Sequence, residues 1–340
     1  MILERLFGFF SNDAAMDLGT ANTLIYVRGE GIVLNEPSVV ALVKDTGQVI
    51  AVGREAKDFL GRTPQKISAI RPMKDGVIAD FDVTQQMIKY FLQKVKLSRF
   101  IRPQMVICVP TGITQVEKRA VIDAAEEAGV RKVFLIEEPM AAAIGAGLEI
   151  EKASGHMVVD IGGGTTEVAV ISLGATACSE SFRVAGDEIN EAIVRHMQKR
   201  HQILIGENTS EYIKMNIGSA YPMDEPCSMT VSGKEILAGI PKSINVTDAE
   251  IREAISEPVH AIINAILRTL EGSPPELISD IYRTGIHMAG GGSLLAGLDR
   301  LVEEKTRLKA VLTEDPLTTV VMGSGRALEE IKRYTKVFIN

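Results

Sequence analysis

Asp17-Leu18-Gly19-Thr20-Ala21-Asn22-Thr23 and Asp160-Ile161-Gly162-Gly163-Gly164-Thr165-Thr166-Glu167 are two acidic, glycine-bearing turns in one chain. The first runs into the strand-like Leu24-Ile25-Tyr26-Val27, and the second follows Val158-Val159. Glycine lets the backbone come close to an anion, and the freed N–H groups then point at phosphate oxygens. The aspartate heading each turn would repel phosphate, so Asp17 and Asp160 are expected to hold a hydrated Mg2+ that neutralises it. Thr and Asn side chains add donors at the rim. A single Asp-Leu-Gly turn is an ordinary hairpin turn. The pair, with a glycine triplet in the second copy, implies two similar halves facing one ligand.

Other phosphate loops are missing. The one Gly-Lys, Gly233-Lys234, has no glycine five residues before it, so there is no Walker pattern. Gly145-Ala146-Gly147 runs into Leu148-Glu149-Ile150, which breaks the dinucleotide fingerprint. P-loop enzymes and dinucleotide folds are therefore disfavoured.

The 340 residues, 46% hydrophobic and 24% charged, have room for two domains with sizeable cores. A net charge of −7 argues against a nucleic-acid groove. Cys108, Cys178 and Cys227 are odd in number and widely spaced, a reduced-compartment pattern without a disulfide framework. The five histidines are scattered, with no His-Glu-x-x-His. A metal held by carboxylates and nucleotide would be Mg2+.

Met1 to Phe10 is too short and interrupted to span a bilayer, and it lacks a signal-peptide core. On a helix, Ile2, Leu3, Leu6, Phe7, Phe9 and Phe10 fall within an arc of roughly 160°. Such a face suits a membrane interface, or docking on the chain's own domain. Its three Phe and two Leu on a free terminus favour membrane. One such helix binds lipid weakly, so stable attachment needs many copies.

Strand-like runs are expected near 14–18, 23–27, 32–34, 38–43 and 48–52, then a short helix at 55–61 and a helix at 84–97. Met105 to Val109 reads as a buried strand. Thr114-x-x-Glu117 is a capping box opening a helix that Gly129 closes. The strand Val133 to Ile136 ends in Glu137-Glu138-Pro139; proline suits a first helical turn, which puts Glu138 at the helix entrance on the sheet edge where open α/β sheets bind ligands. Taken alone, Glu138 is a carboxylate stabilised by the helix dipole. Between two phosphate turns it can orient a water in line with a γ-phosphate. The small residues Ala141 to Gly147 allow close approach of another helix. In the second half, strands are expected at 156–161, 166–172 and 176–184 and helices at 187–201 and 209–218. A long helix capped by Thr247-x-x-Glu250 and kinked at Pro258 follows. Gly285 to Ala289 should be a strand ending in a third glycine turn, Gly290-Gly291-Gly292-Ser293, with a helix from Leu294. A strand at 310–312 and a helix at 317–332 close the chain.

This order of parts resembles the actin, sugar-kinase and heat-shock-chaperone ATPase superfamily. Within it, residues Asp17 to Val27, Leu135 to Gly147 and Ile217-Gly218-Ser219-Ala220-Tyr221-Pro222 resemble the MreB family, the bacterial actins of rod-shaped cells. The resemblance covers essentially the whole chain. It implies an α/β, actin-like (ribonuclease H-like) fold of two lobes, each a mixed sheet flanked by helices with a smaller insert, and ATP with Mg2+ between them. The implied division is 1–33, 76–148 and 318–340 for subdomain IA, 34–75 for IB, 149–185 and 248–317 for IIA, and 186–247 for IIB.

By position, the resemblance assigns Asp17, Gly19, Thr20, Ala21 and Asn22 to the first phosphate loop. Asp160, Gly162, Gly163, Gly164 and Thr165 form the second. Glu138 would polarise the attacking water, with Thr165 assisting. Gly186, Asp187, Glu211 and Lys214 would lie near ribose and adenine, and Gly291, Gly292 and Ser293 would close over the nucleoside. Phe100 and Ile101 would join the N-terminus in membrane contact. Ala289, Ala15-Met16 and Ala185-Gly186 depart from the family pattern, which bears on the nucleoside contacts and not on the phosphate sites.

The implied function is a weak ATPase that forms filaments, as paired antiparallel protofilaments peripheral on the cytoplasmic face of the inner membrane. Wall-elongation membrane proteins are its implied partners and cell shape its role. The helix at 115–128 is the candidate seam between protofilaments. A small-molecule, sugar-type kinase is the alternative, although a kinase has no need of a membrane helix. A chaperone would need a substrate domain after residue 340.

Overall fold

The computed structural model describes residues 13–95 and 102–339. Two five-stranded mixed sheets dominate it. The first has the order Lys132–Glu137, Gln104–Val109, Ala14–Leu18, Asn22–Val27, Gly31–Pro37. Its first three strands are parallel and the last two turn back as an antiparallel meander. The second sheet repeats this scheme. Ala310–Leu312, Ile286–Ala289 and His156–Ile161 are parallel, and Thr166–Ser172 and Ala175–Phe182 form the meander. Each acidic turn thus joins the central strand of its sheet to the first strand of its meander. The duplication expected from the two turns is realised in the topology.

The central strands are continuous apolar runs because both faces are covered. Met105, Val106 and Ile107 are wholly buried, as are Met157, Val158 and Val159. One cluster draws Ala15, Val106 and Ile136 from the first sheet together with Val158, Ala169 and Ala289 from the second. Between them lie two helices, Glu138–Gly145 and Thr319–Glu329. They cross backbone to backbone. A Cβ on Gly323 would overlap the Ala141 carbonyl oxygen, and one on Gly145 would overlap that of Thr319. The run Ala141 to Gly145 is therefore small because another helix must approach it.

Two three-stranded sheets project from the body. One comprises Val40–Val43, Val49–Val52 and Ile67–Ile70, and the other Ile203–Leu204, Ser228–Glu235 and Pro241–Thr247. The expected capping box is present: Glu117 N donates to Thr114 Oγ1 (3.2 Å), and Thr114 N donates to Glu117 Oε2 (2.8 Å).

Two helix expectations need correction. The long helix after Thr247 is two helices, Asp248–Ala254 and Ser256–Glu271, parted at Ile255 and not at Pro258. The proline ring lacks an N–H and crowds the carbonyl four residues back, so the break falls ahead of Pro258. The helix expected from Leu294 starts at Leu298, after a 3-10 turn over Gly291–Leu294. Gly297, at φ 70°, separates the two.

Among the described residues, no helix is long and apolar enough to cross a membrane. The membrane expectations at Ile2, Leu3, Leu6, Phe7, Phe9, Phe10, Phe100 and Ile101 lie outside the described residues.

If the crossing is the brace between the sheets, Gly323→Ala should cost about 1–3 kcal/mol by overpacking. Urea denaturation would read this as a lowered midpoint, and a midpoint unchanged within error would refute the close crossing.

Candidate functional site

The glycine turns meet across a cleft of about 520 Å3 between the two sheets. Its walls include Asp17, Gly19, Thr20, Ala21, Asn22, Glu138, Asp160, Gly162, Gly163, Gly164 and Thr165. A smaller recess near Glu36, Arg54 and Lys94 lies apart from these residues.

The absence of side chains is what lets the turns approach. A Cβ on Gly163 would fall 2.7 Å from Ala21 Cβ, and one on Gly164 would fall 2.8 Å from Thr20 Oγ1. The backbone then folds the second turn onto the next helix. Gly162 N donates to Thr165 O (2.9 Å), Gly186 N to Gly162 O (3.2 Å) and Asp187 N to Gly163 O (2.8 Å). Within the first lobe, Gly76 N donates to Thr20 Oγ1 (3.2 Å).

Carboxylates converge at the floor of the cleft. Asp17 and Asp160 are the penultimate residues of Ala14–Leu18 and His156–Ile161, and Glu138 opens the helix after Lys132–Glu137. Burial first, then the charge of Asp160, pushes Asp17 up to about 7. Burial alone pushes Asp160 to about 6. Glu138 is raised well above the usual range by burial, then by Glu167, Asp160 and Asp17. Glu167 is pushed to about 7 by burial, although Ser181 Oγ (2.5 Å) and Thr111 N (3.2 Å) donate to it.

This oxygen-only donor set has a specific gap. Asp160 Oδ1 is buried without a hydrogen-bond partner. An unpaired buried carboxylate oxygen beside other carboxylates is the environment a hard divalent cation relieves, so Asp17 and Asp160 fit Mg2+.

The far end of the cleft has a different chemistry. Gly186, Asp187, Glu211 and Lys214 line it, with Asn190, Met215 and Asn216 beside them. Lys214 Nζ donates to Gly186 O (3.0 Å), and burial lowers its pKa. Burial raises Asp187 against the pull of Arg71 and Lys214. Gly291 and Gly292 line the opposite wall with Gly290, Pro316 and Leu317. Ser293 stands behind that wall: its hydroxyl donates to Gly290 O (2.7 Å), so it shapes the turn.

Sequence reasoning missed the ion pairs that join the helix Arg54–Lys57 and Arg71, beside one projecting sheet, to the helix Glu207–Ile217, beside the other. Lys57 Nζ donates to Glu211 Oε2 (3.1 Å), and Arg71 to Glu207 Oε1 (2.5 Å). Arg71 Nη1 also reaches the carbonyls of Thr20 and Ala21, each at 3.5 Å. Glu167 was quoted within its turn but given no role. Its position opposite Asp160 in the antiparallel pair was the signal that could have found it.

The raised carboxylates fix the sign of a pH dependence. Folded, they still bind protons at a pH where the unfolded chain has released them. Their contribution is fully present below about pH 4 and is lost as pH rises through the folded values of about 6 to 7. The ligand-free chain should therefore lose stability between about pH 4 and 7, and Asp17→Asn should flatten this fall. Denaturation midpoints across that range measure it; identical slopes for both proteins would contradict it.

Comparison with known proteins agrees with this architecture. The family described as MreB/Mbl protein matches residues 11–336. The cell shape-determining protein MreB of Escherichia coli (strain K12) is 54% identical over 336 residues, covering 97% of each chain. MreB5 of Spiroplasma citri, in a crystal structure bound to ADP, superposes with a TM-score of 0.91 at 36% identity, covering 95% of this chain and 98% of that one. The MamK double helical filament shares the fold, with a TM-score of 0.78 at 23% identity over 94% of this chain and 99% of that one. The fold is actin-like, and the chain belongs to the MreB/Mbl family.

Proposed function

We propose that this chain is an ATP-hydrolysing cytoskeletal protein that forms filaments on the cytoplasmic face of the membrane and organises wall synthesis to maintain rod shape. The observation that carries the reading is Glu138, held at a helix entrance beside Asp17 and Asp160 where two glycine turns close on one cleft. The ADP bound to the Spiroplasma citri relative and the name of the Escherichia coli relative support it.

In this reading the triphosphate lies between the turns, with backbone N–H groups of Gly19, Thr20, Ala21, Asn22, Gly163 and Gly164 directed at its oxygens, while Gly162 shapes the second turn through its own bond to Thr165. Asp187, Glu211 and Lys214 hold the nucleoside, and Gly291 and Gly292 close its other side. Mg2+ held through water by Asp17 and Asp160 would spread the charge of the phosphates. Glu138 accepts a hydrogen bond from the attacking water and aligns it, with Thr165 assisting. Glu138 orients water only as a carboxylate, and a cation held at Asp17 and Asp160 would favour that ionised form.

Closure of the cleft couples the nucleotide to subunit contacts. The pairs Lys57–Glu211 and Arg71–Glu207 tie the two projecting sheets. They are partly exposed and individually weak, which suits a clasp that opens when the nucleotide leaves. Subdomain boundaries at 34–75 and 186–247 place one sheet on each side of the clasp.

The helix Gln115–Glu127 presents an exposed Val116, and Arg119 lies on it paired with Asp123 (2.8 Å). We assign it to the seam between antiparallel protofilaments, which points every N-terminus toward lipid. Many copies acting together then give the amphipathic terminus a stable hold.

Glu138→Gln should slow phosphate release from Mg·ATP by about 100-fold while nucleotide binding persists; wild-type turnover would remove Glu138 from the mechanism. Arg119→Glu should leave single filaments or monomers in electron micrographs on lipid monolayers, and unchanged double filaments would reject the seam. On the same monolayers, a chain lacking residues 1 to 10 should lose membrane attachment. ATP consumed only when a sugar is added would return the kinase alternative.

A further inference from the structure

Two of the five histidines, unremarkable in sequence, meet in space. His196 lies in the helix Gly186–His201, and His201 ends it. Glu250 sits in the first turn of Asp248–Ala254. His196 Nε2 is 2.8 Å and His201 Nε2 2.5 Å from the same atom, Glu250 Oε1. One ligand atom from each residue lies within 4.8 Å of the others. The three side chains are only 14 to 21% exposed.

We propose that His196, His201 and Glu250 form a binding site for a transition-metal dication of the Zn2+ class, separate from the nucleotide cleft. Two imidazoles and a carboxylate are a ligand set that Zn2+ accepts, with a fourth position left to water. Ligands at about 2.0–2.1 Å around a tetrahedral ion stand about 3.3 Å apart, so small outward movements of the rings admit the ion. Glu250 is prepared for this role. Thr247 Oγ1 accepts from its backbone N (3.3 Å), fixing the turn that carries it.

The ion would link the C-terminal end of a helix whose first residues, Gly186 and Asp187, line the nucleotide cleft. By helical rise, His201 is about 20 Å from Gly186, so the two sites are distinct. One cation already competes for the place. Arg200 Nε lies 3.5 Å from Glu250 Oε1, and its side chain is 60% exposed, free to swing aside.

The test is calorimetric titration of the full chain with Zn2+, with excess Mg2+ present to occupy oxygen-only sites, and with Co2+ absorption reporting coordination geometry. The native chain should take up one Zn2+ at this cluster. His196→Ala, His201→Ala and Glu250→Gln should each weaken uptake at least about 10-fold. Arg200→Ala, which removes no ligand and leaves both helices intact, should tighten it. Failure of the native chain to bind Zn2+, wild-type affinity in the double histidine variant, or no tightening in Arg200→Ala would overturn the proposal.

Discussion

The burial of four carboxylates at one point organises this molecule. Asp17, Glu138, Asp160 and Glu167 come from both sheets and converge where the two lobes meet; burial raises all four, and neighbouring carboxylates add to it at Asp17, Glu138 and Glu167. In a small soluble core such a cluster would be a defect. Here it sits at the C-terminal edges of parallel strands, facing glycine turns whose N–H groups favour anions. On the proposed reading, a metal–nucleotide pair would relieve the buried carboxylates and engage the glycine turns at once.

The rest of the fold serves that meeting. The helices Glu138–Gly145 and Thr319–Glu329 cross at backbone contact between the sheets, and that closeness sets the distance across the cleft floor. Glu138 belongs to one of these helices, so its position is fixed by the packing of the whole molecule. The roof is different in kind. It is held by partly exposed ion pairs from Lys57 and Arg71 to the helix Glu207–Ile217, each of which contributes little.

Much of this was legible in the chain. Two acidic glycine turns, each beside an apolar run, announce two matching halves that face one cleft, because few residue types let two backbones approach so closely. The small residues of Ala141 to Gly145 likewise announce a close helix crossing. What escaped was set by tertiary pairing. Lys57 and Arg71 carry no local sign that Glu211 and Glu207 will face them. His196 and His201 are five apart with no metal-binding signature, and Glu250 joins them only through helix packing. The break at Ile255 escaped because Pro258 was read as a kink within one helix, whereas the disruption it causes ahead of itself ends one helix and starts another. Ala289 and Ala185, departures from the family pattern, are both buried, at 0% and 1% exposure, where a small apolar residue packs without needing a partner.

The most direct test of the central claim is the proton balance of Mg·ADP binding near pH 6.5, measured by calorimetry in buffers of differing ionisation enthalpy. A cation entering a cluster with Asp17 near 7 and Asp160 near 6 must displace protons, so net proton release is predicted. Release should diminish in Asp17→Asn. Binding without proton release in the native chain would contradict the account.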